Sequence, residues 1–170
     1  VLFRSEQGQQ PLFGVQVLTR STMLCELAGG VGLDAVWIEL EHGGASFDTV
    51  QSMCIACAAG GAVPVARVPG HERPHILRSL ECGARIVVVP MVNDAATART
   101  IVRWGKFAPL GERGFNTGSR GLRYGMYDLV ESQAWANEHT HLIAQIETTT
   151  AIGNLDEILS VDGISGVLEI

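Results

Sequence analysis

The fold class follows from residues 35–68, which read AVWIELEHGG ASFDTVQSMC IACAAGGAVP VARV. Ala35–Leu40 and Val63–Val68 are short, nearly continuous apolar runs, which is typical of strands in a sheet covered by helices. Between them, Phe47–Ala59 places apolar residues at helical spacing, and the pair Gly60-Gly61 is expected to end that helix. This order of strand, helix and strand predicts a parallel strand pair joined by a covering helix.

The same alternation continues on both sides of this unit. Six strands are predicted, at Phe13–Leu18, Ala35–Leu40, Val63–Val68, Arg85–Pro90, His141–Ile146 and Ser165–Ile170. The predicted helices run from a cap at Ser21 or Thr22 to Ala28, over Phe47–Ala59 and Arg73–Cys82, from a cap at Asn93 or Asp94 to about Trp104, and over Met126–Asn137 and Thr149–Ser160. Gly105–Gly125 interrupts the alternation as a long glycine-rich loop, which we expect to be functional or mobile.

Two α/β architectures fit this alternation. A (β/α)8 TIM barrel typically needs ~250 residues, so a chain of 170 residues would hold about six of its eight βα units. The alternative is an open doubly wound sheet, but residues 29–32 follow a helix and do not match a dinucleotide-binding fingerprint. We therefore expect residues 1–12 to form a flexible N-terminal segment and residues 13–170 to form a partial barrel domain.

Composition narrows the classes of partner and compartment. The net charge of −6 disfavours nucleic acid and anionic membranes as partners, and no apolar run approaches the ~20 residues that span a bilayer. The four cysteines and the absence of a signal-peptide pattern favour a reducing, cytoplasmic compartment. Cys54 and Cys57 form a CxxC in an apolar helix, where small buried side chains explain them better than redox or metal chemistry.

Polar side chains occur at the C-terminal ends of three predicted strands. Because alternate residues of a strand share a face, and because a barrel builds its active site at this end, we expect them to converge. The residues concerned are Glu39, Glu41, His42, Arg67, Gln145 and Glu147. The alternative is a non-catalytic α/β domain in which these groups are solvated or form structural ion pairs.

The residue types at this end favour enolate chemistry. Carboxylates with an imidazole suit a hard divalent cation such as Mg²⁺ or Mn²⁺, an arginine can stabilise an oxyanion, and a histidine can transfer protons near neutral pH. Lys106, the one lysine in the sequence, lies in the long loop and is no candidate for a Schiff base.

Five segments, in this order and spacing, resemble the HpcH/HpaI aldolase family of metal-dependent class II pyruvate aldolases. They are Trp37–Gly43, Pro64–Val68, Val89–Val92, Gly111–Gly114 and Gln145–Thr148. The resemblance implies a barrel of the phosphoenolpyruvate/pyruvate superfamily, and an enzyme similar to 2,4-dihydroxyhept-2-enedioate aldolase. It implies reversible cleavage of 4-hydroxy-2-oxo acids to pyruvate and an aldehyde, with Mg²⁺, Mn²⁺ or Co²⁺. We expect the full-length parent to be a homo-oligomer, a trimer or a hexamer.

The resemblance also implies a role for each residue at the strand ends. Glu147 would be a metal ligand, Arg67 would bind the pyruvate oxygen and stabilise the enolate, and His42 would be the acid/base residue, acting through water. Gln145 would hydrogen-bond near the substrate, and Glu39 and Glu41 would support the site, with Glu39 standing where the family often has Asp.

In the family, a second metal-ligating Asp, within a Gly-Pro-x-Asp-Leu motif, follows the sixth strand. Here it would follow Ile170, so we expect a chain truncated at its C-terminus. The alternatives are a macrophomate synthase-like enzyme, a citrate lyase β-like enzyme, or a catalytically inactive fragment.

Overall fold

The computed structural model describes residues 11–170, which alternate between strands and helices as the sequence predicts. The strands are β1 (Gly14–Val17), β2 (Ala35–Glu39), β3 (Val63–Arg67), β4 (Ile86–Val89), β5 (His141–Ile146) and β6 (Gly166–Glu169). The α-helices are α1 (Thr22–Gly30), α2 (Phe47–Gly60), α3 (Arg73–Cys82), α4 (Ala95–Gly105), α5 (Leu129–His139), α6 (Thr149–Gly153) and α7 (Leu155–Leu159), and a 3₁₀ segment covers Arg120–Gly125. The expected N-terminal segment, residues 1–12, lies outside the described residues except for its last two.

The six strands form one sheet in which every neighbouring pair is parallel and the order is β1-β2-β3-β4-β5-β6. A doubly wound sheet reverses its strand order at a switch point, so this sequential order excludes the open doubly wound alternative. The prediction of a parallel α/β fold with six strands is confirmed, and each of β1 to β5 is followed by at least one helix.

The sheet is curled, and its two faces bury different clusters. The larger core lies on the helix-covered side and includes Val36, Ile38 and Ala66. The inner side carries a smaller apolar cluster around Val65 and Ile143. Residues of β1 and β6, the two edge strands, line one cavity of about 450 Å³ together with inner-face residues of β2 and β3, because the curl brings these edges towards each other.

Side-chain caps set the helix starts. The side chains of Ser21, Ser46, Asp94 and Asp128 each accept a hydrogen bond from a backbone N–H in the first turn of α1, α2, α4 and α5. Helix α2 ends at Gly61, whose φ of +92° favours glycine. These caps account for helix bounds close to those that the sequence predicts.

Two local predictions need correction. The helix predicted over Thr149–Ser160 is broken at Asn154 into α6 and α7. The segment Gly105–Gly125 is not a structureless loop, because it contains the 3₁₀ segment and buries Phe107 and Leu122. The second correction arises because these two side chains form a separate apolar cluster with α5.

The four cysteines are buried and unpaired, in agreement with their interpretation as small apolar side chains. Within residues 11–170, no helix has the length and apolar character needed to cross a membrane.

Candidate active site

The site is organised around the carboxylate of Glu39, the last residue of β2. Its side chain is completely buried, and the partner directly opposite it in the register of β2 and β3 is Arg67, the last residue of β3. Two guanidinium nitrogens of Arg67, Nε and Nη2, each lie 2.7 Å from Oε2 of Glu39. Because the two residues end neighbouring parallel strands, the sheet itself places this ion pair at its C-terminal edge.

Four further groups donate to the same carboxylate. Oε2 of Glu39 accepts from Nε1 of Trp37 at 3.1 Å and from Nε2 of Gln16 at 3.0 Å. Oε1 accepts from the backbone N–H groups of Glu41 at 2.7 Å and His42 at 3.1 Å. The carboxylate therefore connects β1, β2, β3 and the loop after β2.

The pKa of Glu39 reflects a competition between burial and hydrogen bonding. Burial alone raises this pKa, but the hydrogen bonds from Arg67, from the backbone of His42 and Glu41, and from Trp37 together bring it below its ordinary value. Glu39 is consequently an anion at neutral pH and a fixed counter-charge for the guanidinium.

Arg67 is held on several sides. Its side chain is 11% exposed, and its guanidinium lies 5.6 Å from the ring centroid of Trp37. Oε2 of Glu41 lies 3.3 Å from Nε of Arg67 as an ion pair, although the geometry gives this buried oxygen no hydrogen bond within the described residues. A guanidinium fixed in this way is preorganised to bind a further anion.

His42 lies at the rim of the site. Its side chain is 71% exposed, and its Nε2 lies 3.7 Å from Oε2 of Glu41. This places an imidazole close to the ion pair while leaving it accessible to water.

A second group of residues occupies the same edge of the sheet on β4 and β5. Gln145 is 1% exposed, and neither its amide oxygen nor its amide nitrogen has a hydrogen-bond partner among the described residues. Glu147, the residue after β5, accepts a hydrogen bond at 2.7 Å from the backbone N–H of Met91. Met91 has a φ of +56°, an uncommon conformation for a residue other than glycine. A carboxylate therefore occurs here beside an uncommon backbone conformation and a buried amide for which residues 11–170 supply no hydrogen-bond partner.

Asn93 fixes the loop that presents Glu147. Its Oδ1 accepts a hydrogen bond from the hydroxyl of Thr148, and its backbone carbonyl accepts one from the side chain of Asn154 at 2.9 Å. The loops after β4 and β5 are thus joined on the side facing helices α4 and α6.

The six residues selected from the sequence all lie at the C-terminal edge, but they form two groups. Glu39, Glu41, His42 and Arg67 are in mutual contact. Across the described residues, no hydrogen bond or ion pair joins them to Gln145 or Glu147.

Sequence reasoning missed two contributors, Gln16 and Met91. A polar residue in the apolar strand β1, opposite Trp37 in the register, is a signal that could have identified Gln16. The positive φ of Met91 leaves no signal in the sequence.

The oxygen donors of Gln145 and Glu147 suit a hard divalent cation in their chemistry. They are not a complete protein site, because residues 11–170 contain no group of three or more His, Cys, Asp or Glu side chains arranged to hold a metal ion. Glu169 does not complete the set, since it is still part of β6.

Comparisons of the sequence with a family model and with known proteins agree with each other. A family model described as HpcH/HpaI aldolase/citrate lyase matches residues 13–168. The chain is 38% identical over 146 residues to a hydroxypyruvate/pyruvate aldolase of Rhizorhabdus wittichii, covering 86% of this chain and 57% of the relative. It is 37% identical over 148 residues to a 4-hydroxy-2-oxovalerate aldolase of Novosphingobium aromaticivorans, covering 85% of this chain and 54% of the relative.

A solved structure agrees with these sequence matches. The crystal structure of an HpcH/HpaI aldolase from Desulfitobacterium hafniense superimposes with a TM-score of 0.88 at 28% identity, covering 94% of this chain and 61% of the other. The chain therefore spans between half and two thirds of the length of these relatives.

Proposed function

The chain belongs to the HpcH/HpaI aldolase/citrate lyase family, and from this premise we propose that it carries active-site residues of a carbon–carbon lyase. The reaction is the reversible cleavage of a 4-hydroxy-2-oxo acid to pyruvate and an aldehyde. One observation carries this proposal: the arginine of a buried ion pair lies at the same sheet edge as an adjacent carboxylate and a buried amide, and this amide has no hydrogen-bond partner within residues 11–170. The names of the aldolase relatives support the choice of pyruvate chemistry.

Arg67 is the group that stabilises negative charge on the substrate. Glu39 occupies its Nε and Nη2, which leaves the remaining N–H donors of the fork for a substrate oxygen. Because Glu39 fixes the plane of the guanidinium before substrate binds, no reorganisation is needed when charge develops on the carbonyl oxygen.

His42 moves the proton. Its exposed imidazole is open to water and lies 3.7 Å from the carboxylate of Glu41, so it can pass a proton through a bound water. In the cleavage direction the histidine, through a bound water, accepts the proton of the 4-hydroxyl group as the C3–C4 bond breaks, and it then returns a proton to C3 of the enolate to give pyruvate. In the reverse direction it removes a proton from the methyl group of pyruvate and delivers one to the aldehyde oxygen as the C–C bond forms.

Glu147 would hold a divalent cation, Mg²⁺, Mn²⁺ or Co²⁺, and the amide of Gln145 would hydrogen-bond the substrate beside it. A cation bound there would supply Lewis-acid stabilisation of negative charge on a substrate oxygen. The oxygen donors favour this assignment, as does the buried amide, which has no partner among residues 11–170. The ligand set needs at least one more group from outside the described residues.

We further propose that the curled sheet is part of a (β/α)8 barrel of the phosphoenolpyruvate/pyruvate superfamily. The sequential strand order and the cavity between the edge strands β1 and β6 support two additional strands in that gap. An apolar groove beside β1, lined by Leu18, Leu24, Leu27 and Val31, has the character of a surface covered by a further helix. A homo-oligomer and a cytoplasmic location are predictions that accompany this assignment.

Deuterium exchange at the methyl group of pyruvate, followed by NMR, tests the proposal without knowledge of the aldehyde. In the full-length parent we expect exchange that depends on a divalent cation and is abolished in Glu147→Gln, which loses the anionic ligand and keeps nearly the same shape. Glu157→Gln is the matched control, because Glu157 is an exposed carboxylate on α7. Exchange at the wild-type rate in Glu147→Gln would refute the metal assignment, and no exchange in the wild type would favour a non-catalytic domain.

His42→Ala provides a second, separate test of the roles. We expect it to slow the exchange more than it weakens binding of Mn²⁺, because His42 lies at the rim rather than beside Glu147. Loss of bound metal in this variant would make the histidine a ligand instead.

The family description also covers citrate lyases, which supplies a second candidate function, C–C cleavage of a citrate-derived substrate. Release of pyruvate from 4-hydroxy-2-oxovalerate, and its absence with citryl substrates, would separate the two.

A further inference from the structure

A second cavity lies at the opposite edge of the sheet from the candidate active site. Its volume is about 410 Å³, and it is formed where Val63 begins β3, Arg85 precedes β4 and Thr140 precedes β5. The N-terminal ends of parallel strands lie at one edge, so this cavity is separated from Arg67 and Glu147 by the length of the strands. It takes no part in the chemistry proposed above.

Three arginines line this cavity, contributed by the residue before β4 and by the 3₁₀ segment. We call it the arginine pocket and define it by Arg85, Arg120 and Arg123, with Tyr124, Tyr127 and Trp135 as its aromatic wall. A lining with both positively and negatively charged side chains would indicate a structural network of ion pairs. Within residues 11–170, however, no Asp or Glu lines the pocket or lies within 4.0 Å of these guanidinium groups.

Within residues 11–170, no carboxylate compensates the charges of the pocket. Nε of Arg123 is buried and has no hydrogen-bond partner among the described residues. The pKa of Arg85 is lowered, first by burial and then by the neighbouring charges of Arg123 and Arg120. Concentrating three cations in this way costs free energy, which an anion in the pocket would recover.

The arginines are also held in position. The guanidinium groups of Arg85 and Arg123 lie 4.2 Å and 4.3 Å from the ring centroid of Trp135, and that of Arg123 lies 3.8 Å from Tyr127. Arg120 passes over Gly83 so closely that a Cβ at this glycine would lie 2.8 Å from its Cδ. Cation–π stacking and this close approach reduce the side-chain entropy that binding would otherwise cost.

The 3₁₀ segment that lines the pocket also has an uncommon backbone conformation. Arg123 and Tyr124 have φ values of +55° and +58°, an unfavourable conformation for side chains of this size. Uncommon backbone conformations of this kind persist where the surrounding structure enforces them, often at ligand sites.

We propose that the arginine pocket binds a phosphate group, either free phosphate or the phosphate of a small organic compound. Guanidinium forks match the oxygens of a phosphate, and three of them without a competing carboxylate suit a dianion better than a monoanion. The tyrosines at the mouth are exposed and could pack against the organic part of a phosphorylated ligand.

Isothermal titration with inorganic phosphate and with phenyl phosphate, at constant ionic strength set by NaCl, tests the proposal. We expect Arg120→Gln to weaken phosphate binding by about tenfold or more, the contribution of a hydrogen bond between charged groups. Arg120 is chosen because it makes none of the cation–π contacts that hold Arg85 and Arg123. Arg99→Gln is the control, since it removes one exposed arginine on α4 and changes the net charge equally.

A second pair of variants leaves every arginine in place. Ala58 is exposed at the pocket wall on α2, and Ala59 is its exposed neighbour outside the pocket. We expect Ala58→Glu to place a carboxylate against the guanidinium groups and abolish phosphate binding, whereas Ala59→Glu should retain it.

The outcomes separate the possible occupants. Tighter binding of phenyl phosphate identifies an organic phosphate, and equal affinity identifies free phosphate; both support the pocket. Equal phosphate affinity in the wild type, Arg120→Gln and Ala58→Glu would overturn it, as would no binding. A third result would also overturn the phosphate proposal: the wild type binds no phosphate, and Arg120→Gln changes the oligomeric state. The pocket would then bind an acidic segment of a second copy of the chain.

Discussion

Replacing Glu39 with glutamine tests whether its carboxylate holds the candidate active site together. The carboxylate accepts from three side chains at Oε2, those of Gln16, Trp37 and Arg67. At Oε1 it accepts from two backbone N–H groups. An amide offers one acceptor oxygen in place of two. Whichever way the glutamine turns, its NH₂ group must face either the three side-chain donors or the two backbone donors.

The expected cost follows from this geometry. Losing one partner of a buried ion pair costs about 3–5 kcal/mol, because the remaining charge stays buried without compensation. Here Glu41 can compensate in part, since its Oε2 lies 3.3 Å from Nε of Arg67. We therefore expect Glu39→Gln to lower the free energy of unfolding by about 3 kcal/mol, the lower end of that range.

Urea denaturation of the two variants, Glu39→Gln and Glu41→Gln, measures this loss in the free energy of unfolding directly. Glu41→Gln weakens its contacts with Arg67 and with the exposed His42, from a side chain that is partly open to water, so we expect a loss of about 1 kcal/mol or less. In an Arg67→Met background the cost of Glu39→Gln should fall, because no guanidinium is then left unpaired. Equal costs for the two glutamine variants, or an unchanged cost in that background, would refute the central role of Glu39.

Three further predictions concern the site, a buried charge and the helix packing. Arg67→Lys should remain folded by circular dichroism and slow pyruvate exchange by roughly 10²–10³, because lysine lacks the planar fork; a loss under about threefold would remove Arg67 from the mechanism. Burial and a neighbouring arginine lower the pKa of Lys106 to about 8, so the native state loses this proton before the unfolded state does. The stability measured by urea should therefore rise between about pH 8 and 10.5, by at most about 3 kcal/mol, and Lys106→Met should lack that rise. Gly29→Ala should lower the melting temperature strongly, because its Cβ would lie 2.6 Å from the backbone of Gly60, whereas Gly30→Ala, with nothing within 4 Å, should raise stability by up to about 1 kcal/mol.

Much of the fold could be predicted because the decisive signals are local. Strand β5 and helix α3 have the bounds that their apolar periodicity predicts, and Gly83 ends α3 with a φ of +106°. The break at Asn154 was missed, because the hydrogen bond that its side chain donates to Asn93 is a contact between loops distant in sequence. Likewise, the burial of Phe107 depends on α5, which the composition of a glycine-rich segment does not reveal.

The candidate site was partly predictable for a different reason. Alternation along strands is enough to place Glu39, Arg67 and Gln145 on one face and at one edge. It does not indicate which of them touch. That Glu39 binds Arg67, and that the amide of Gln145 has no hydrogen-bond partner among the described residues, depend on side-chain geometry across strands.

The ion pair between Glu39 and Arg67 is fixed by the register of β2 and β3 more than by the loops that follow these strands. Glu39 and Arg67 are directly opposite, and a slip of one residue would turn Arg67 to the helix-covered face. Ala66 and Val68 occupy that face and are fully buried, so it has no room for a guanidinium and no partner for its charge. The apolar core therefore excludes the one-residue slips that would separate the two charges. The preorganisation of Arg67 is then a consequence of core packing, and a core substitution that loosened β3, such as Ala66→Gly, should weaken the ion pair without touching either charged residue.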